Sequence, residues 1–181
     1  MSEARGLVVG AAVMVMTTAV SGAYAESYDL AVSRIIEAPV EQVWEAWSDG
    51  SRIRQWWGPS GFSAPVADVD FNVGSRSIVC MQPPDGPLMC NSWTYTEIVP
   101  NERIAFDAGW VDEAGNEIDP RSMGLPDDIP SIVPHIITFR PLSDSKTELT
   151  VSEFGYGSEA TVALSKAGLE QVLDKLEASL E

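Results

Sequence analysis

Nine residues from Tyr28 to Ile36 alternate along the chain, with Leu30, Val32, Arg34 and Ile36 on one side, and this period of two predicts a first strand. Glu37 and Ala38 lead to Pro39 at a helix start, where the missing amide is harmless. Val40, Val43, Trp44 and Trp47 then recur at the spacing of one helical face, and Ser48 to Trp57 reads as a second short helix stopped by Gly58-Pro59. Strand-like runs follow at Phe62 to Phe71, Ser75 to Gln82, Leu88 to Ile98, Arg103 to Val111, Ile132 to Arg140 and Glu148 to Glu153. Gly, Pro, Asn and Asp clusters separate them. A long helix comes after, which Ser158 can cap and along which Leu169, Val172, Leu173, Leu176 and Leu180 form an apolar stripe.

A helix amphipathic over such a length has to lie against a sheet. The expected class is therefore α+β: a curved, antiparallel, seven-stranded sheet gripping the long C-terminal helix, with two short helices after the first strand. Gly168 inside that helix costs about 1 kcal/mol relative to Ala. Its presence predicts a close approach of the helix backbone to a strand or to a ligand.

Several strings in these elements form a recognisable set. They are Arg34-Ile-Ile-Glu-Ala-Pro39, the Val43-Trp44 helix, Gln55-Trp56-Trp57-Gly58-Pro59, Asp112-Glu113-x-Gly115-Asn116, Gly124-Leu125-Pro126-x-Asp128-x-Pro130 and Gly168-Leu169-x-x-x-Leu173-x-x-Leu176. Over roughly residues 28 to 180 the chain resembles the START-like or SRPBCC superfamily, in the branch related to the activator of the heat-shock-protein ATPase. That resemblance implies the helix-grip (START-like) fold and an internal cavity. Relatives usually carry Trp after the helix glycine, where this chain has Leu169.

A curved sheet around one helix encloses space, and alternation assigns its inner face. Trp93 and Tyr95 share a face in one strand, Phe106 and Trp110 with Ile104 in the next, and His135, Ile137 and Phe139 in the one after. Leu169 and Leu173 of the helix are expected to face them, with Trp56, Trp57 and Phe62 at the mouth. Such a lining suits an apolar or aromatic small molecule oriented by a few polar groups, although aromatic residues at period two also serve as plain core.

Candidate chemistry is sparse. His135, the single histidine, is a possible general base, with Tyr95 and Arg34 as further polar participants. Arg34 is expected to pair with an acid such as Glu153 or Asp107. Two cysteines and one histidine do not compose a zinc site, and the acidic stretch Asp112 to Pro134 lacks the spacing of a calcium loop. No cofactor or metal is expected, and that stretch reads as a lid or cavity rim.

Composition narrows the partners. A net charge of −16 disfavours nucleic acid and anionic membrane surfaces. Arg5 precedes an uncharged segment, Gly6 to Ala25, that ends in the small-x-small Ala23-Tyr24-Ala25, the form of a secretory leader. Cleavage after Ala25 would leave residues 26–181 as one domain, periplasmic or secreted, without stable membrane insertion. An uncleaved anchor is the alternative, weakened by the modest hydrophobicity of Gly, Ala and Thr. Cys80 and Cys90 lie symmetrically about Asp85 and predict a cross-strand disulfide outside the cavity, since their parity is opposite to that of Trp93 and Tyr95.

The reading is thus an exported binder of a hydrophobic, lipid- or polyketide-like small molecule. A cyclase, dehydratase or hydrolase is the alternative, and a co-chaperone-like interaction module a weaker one, because export would remove the ATPase partner. The sequence carries no signal for oligomeric state.

Overall fold

The computed structural model describes residues 27–181; the expected leader and the expected cleavage after Ala25 lie outside them. Strand β1 (Tyr28–Ile36) is followed by helices α1 (Val40–Ser48) and α2 (Gly50–Trp56). Strands β2 (Ser63–Asp68), β3 (Arg76–Gln82), β4 (Met89–Val99), β5 (Arg103–Val111), β6 (Ile132–Ser143) and β7 (Lys146–Tyr156) come next, and then helix α3 (Glu159–Ala178). The strands form one antiparallel sheet in the order β1-β7-β6-β5-β4-β3-β2, so the first strand closes against the last and the two helices after β1 carry the chain to the opposite edge. The helix-grip class expected from the pattern is the architecture observed.

Local chemistry fixes the helix starts. Pro39 sits at the N-cap of α1, one position earlier than its usual place inside the first turn. The Asp49 carboxylate caps α2, accepting from the amides of Ser51 and Arg52 at 2.7 and 3.1 Å. The Ser158 hydroxyl caps α3 through the Thr161 amide at 3.2 Å. Each helix buries one face: Val43, Ala46 and Trp47 from α1, Ile53 and Trp56 from α2, and Leu169, Val172, Leu173 and Leu176 from α3.

Strand boundaries differ from expectation by more than one residue in two regions. β2 stops at Asp68 because Asp70 and Asn72 fold into a turn, held by an Asn72 to Asp70 side-chain bond of 2.6 Å, that ends in Gly74 at φ 86°. Phe71 nevertheless packs inward, edge-on to Trp44 and Tyr95. At the other end, β6 and β7 extend into a longer hairpin than the sequence pattern suggested, with a register shift between Pro141 and Ser143.

Cys80 and Cys90 stand directly opposite in the β3–β4 register and are joined as a disulfide. With Val111 they form a small cluster separate from the main core. The pairing and its place away from the cavity agree with the sequence expectation.

Candidate functional site

The sheet's concave face is only half filled. On the side covered by α1 and α2 the core is solid: Trp56, Tyr95, Phe106, Ile137 and Leu173 are all at most 1% exposed, and Phe139 is 4% exposed. These six residues, expected to line a cavity, instead pack against one another and against Trp47 and Trp44, because the two short helices push indole rings into the space. Phe62 does not border the cavity either; its backbone carbonyl belongs to the turn described below.

Beyond that core lies a cavity of about 260 Å³. Trp57, Trp93, Trp110, His135 and Leu169, of the residues expected there, do line it. Its floor is the sheet, with Trp93 of β4, Ala108 and Trp110 of β5, and Val133 and His135 of β6. Its roof is α3, which presents Ser165, Gly168, Leu169 and Val172 along one face. A Cβ added at Gly168 would meet nothing within 4 Å, so the glycine does not serve a close backbone approach; it leaves volume open.

Two irregular segments complete the walls. The turn Trp57-Gly58-Pro59 borders one end, with Gly58 at φ 91° and its backbone too close to Met81 and Phe62 for a side chain. The Lys175 ammonium of α3 holds this turn by donating to the carbonyls of Trp57, Gly58 and Phe62 at 3.3, 3.0 and 2.9 Å, and burial lowers its pKa. Leu125 and Ile129 close the other end, from the acidic stretch that was expected to form a rim. Asp128 ties that stretch to the start of α3, accepting from the hydroxyls of Ser158 and Thr161, and these bonds hold its carboxyl below the usual range. Gly157 passes so close to Asp128 that a Cβ would lie 2.8 Å from the Asp128 Cβ.

One polar cluster interrupts the apolar lining. Tyr95, Phe106, His135 and Glu153 form a single row across β4, β5, β6 and β7. Phe106 stacks on the His135 ring at 4.8 Å and fixes its plane. Nδ1 of His135 lies 2.8 Å from the Val133 carbonyl, which can only accept, so Nδ1 carries a proton and donates. Nε2 faces Glu153 Oε1 at 3.4 Å. The other carboxylate oxygen, Oε2, accepts from the Tyr156 hydroxyl and from the Ser165 hydroxyl at 2.7 Å. Burial pushes the Glu153 carboxyl up, but the bond and charge from His135, with the two hydroxyls, outweigh it and leave the pKa below the ordinary value. The same burial and the adjacent carboxylate push the Tyr156 phenol up.

Arg34 takes no part. Its guanidinium meets Asp174 of α3 at 3.7 Å, outside the cavity, rather than Glu153 or Asp107. Tyr95 is buried away from the lining, and burial raises its pKa. Of the three polar candidates only His135 reaches the cavity, while Glu153, Tyr156 and Ser165 were not anticipated as site residues. Among the described residues no group of three or more His, Cys, Asp or Glu side chains is placed to hold a metal ion, and no helix is long and apolar enough to cross a membrane.

Comparison with known proteins places this architecture. A family profile described as Activator of Hsp90 ATPase homolog 1-like protein matches residues 37–181. A crystal structure of a protein from Chromobacterium violaceum superposes with a TM-score of 0.69 at 25% identity, covering 84% of this chain and 96% of that one. The AHSA1 protein from Silicibacter pomeroyi gives a TM-score of 0.68 at 22% identity over 84% of this chain and 97% of its own. A solution structure from Arthrobacter aurescens gives 0.68 at 23% identity, covering 84% and 85%. No curated protein matches the chain.

Proposed function

The chain belongs to the Activator of Hsp90 ATPase homolog 1-like family, and from that membership and its cavity we propose that it binds an apolar or aromatic small molecule as a carrier or sensor. The observation that carries this reading is the hollow beneath α3, where Gly168 and Leu169 stand over Trp93 and Trp110 with an apolar lining and unfilled volume. Binding takes place after export. The leader-like segment and the closed Cys80–Cys90 pair both favour an oxidising compartment outside the cytoplasm.

A catalytic reading draws on the His135–Glu153 pair inside the cavity, but acid–base chemistry needs a group free to move a proton. Nδ1 of His135 is committed to a carbonyl and Nε2 to Glu153, whose lowered pKa makes it a weak base. The pair is better suited to orienting a ligand than to turning it over.

The test is native mass spectrometry of the chain recovered from a bacterial periplasm, alongside Leu169→Trp, which places an indole into the hollow. A mature chain beginning at Glu26, with an organic adduct that is lost on denaturation and absent from the folded variant, supports the reading. An equal adduct on Leu169→Trp, or retention of residues 1–25, counts against the cavity site or the export respectively.

A further inference from the structure

The lining leaves an unequal supply of hydrogen-bonding capacity. Most of its donors are committed: Nδ1 of His135 to the Val133 carbonyl, one N–H of the Asn91 amide to the Gly109 carbonyl at 3.4 Å, and the Trp110 indole to the Pro130 carbonyl at 3.0 Å. The Trp57 indole N–H has no partner but is buried within the wall. The Tyr156 and Ser165 hydroxyls both turn to Glu153 Oε2.

Acceptors are not exhausted in the same way. A carboxylate offers about four acceptor positions. Oε1 of Glu153 uses one, at the long distance of 3.4 Å to His135, while the residue borders the cavity at 6% exposure.

Charge narrows the ligand further. Among the described residues no Lys or Arg lines the cavity. Lys175 is turned toward three backbone carbonyls and Arg34 toward Asp174. Among the described lining residues only His135 is of a basic type, and it already faces Glu153. An anionic ligand would lose its hydration without gaining a counter-charge, and it would meet a buried carboxylate.

Resting on the small-molecule reading above, we propose that the ligand is an uncharged aromatic molecule that donates one hydrogen bond, from a hydroxyl or an N–H, to Glu153 Oε1. Its ring system lies against Trp93 and Trp110 under Gly168 and Leu169. A volume of about 260 Å³ falls just below the usual range for drug-sized ligands, which fits a molecule of one or two rings. Fatty acids and aromatic carboxylates are excluded by the same geometry that admits phenols and indoles.

Three probes with one ring system separate the terms: 2-naphthol, its methyl ether 2-methoxynaphthalene, and 2-naphthoate, titrated calorimetrically into the purified full chain at pH 7. The expected order is 2-naphthol about tenfold or more tighter than the ether, with 2-naphthoate no better than the ether. In Glu153→Gln, whose neutral amide oxygen is a weaker acceptor than a carboxylate, the advantage of the naphthol over the ether should shrink several-fold. Equal affinity of naphthol and ether for the wild-type protein overturns the donor assignment and leaves the apolar cavity standing. Preference for the naphthoate overturns the neutral-ligand assignment. Binding of none of the three overturns the cavity reading itself. The wild-type series decides the question even where Glu153→Gln fails to fold.

Discussion

The two halves of the concave face carry the same kind of side chain and behave oppositely. Under α1 and α2, Tyr95, Phe106 and Phe139 are sealed by Trp44, Trp47 and Trp56, with Trp47 and Trp56 centred 4.7 Å apart. A few ångströms along the same strands, Trp93 and Trp110 face Gly168 and Leu169 across open volume. Trp93 belongs to both halves, stacked on Phe106 at 4.8 Å and bordering the cavity with its remaining surface. Aromatic content therefore does not decide whether a face is core or site; what lies opposite decides it. Two short helices with three indoles fill their half, whereas one helix with a glycine facing open volume does not.

The sharpest way to break this contrast is to truncate one leucine in each half. Leu173, fully buried, should cost about 4 kcal/mol as Leu173→Ala, while Leu169→Ala, which enlarges a void already present, should cost well under half of that by denaturant unfolding. Equal losses would show that the cavity collapses in solution. Next in size, His135→Ala should destabilise by about 3 kcal/mol at neutral pH, since it leaves Glu153 buried beside only two hydroxyls. Glu153 has a folded pKa below its ordinary value of 4.5. Its contribution is therefore complete above that value and is lost as pH falls through the lowered one. The variant should show a flatter acid limb in a pH series of unfolding midpoints.

A smaller effect is expected at the disulfide. Replacing Cys80 and Cys90 by Ser should cost about 2 kcal/mol, given a separation of 10 residues, and should leave probe binding intact because the pair packs with Val111 away from the cavity. Smallest is Gly168→Ala, which should raise stability by up to about 1 kcal/mol, since nothing crowds the new methyl, while weakening ligand binding. A gain in both would mean that the helix glycine does not serve the cavity.

The element order was legible because each periodic run was long and well punctuated, and β1 and β5 carry the bounds that alternation assigned them. The site was less legible, for a reason that lies in one residue of backbone. Counting back from the Ser143–Lys146 end of the hairpin would set His135 opposite Phe154, yet the register shift at Pro141 sets it opposite Glu153. No pattern in the sequence marks that shift, so the pair could not be assembled from it. Tyr156 was missed because Gly155, at φ 90°, reads as a strand breaker although β7 continues through it. Ser165 did leave a signal: with Gly168, Leu169 and Val172 it falls at i, i+3, i+4 and i+7, one face on which small residues are as telling as large ones.

The order in which this structure closes also sets when its cavity exists. β1 pairs with β7, and the roof of the hollow is α3, which follows every strand. During synthesis the first strand must wait for the last, and the enclosing helix comes later still. No ligand can be captured by a growing chain, because the compartment that holds it has no ceiling until the final helix is made. Filling of the hollow by any ligand is thus an event of the finished fold rather than of the growing chain.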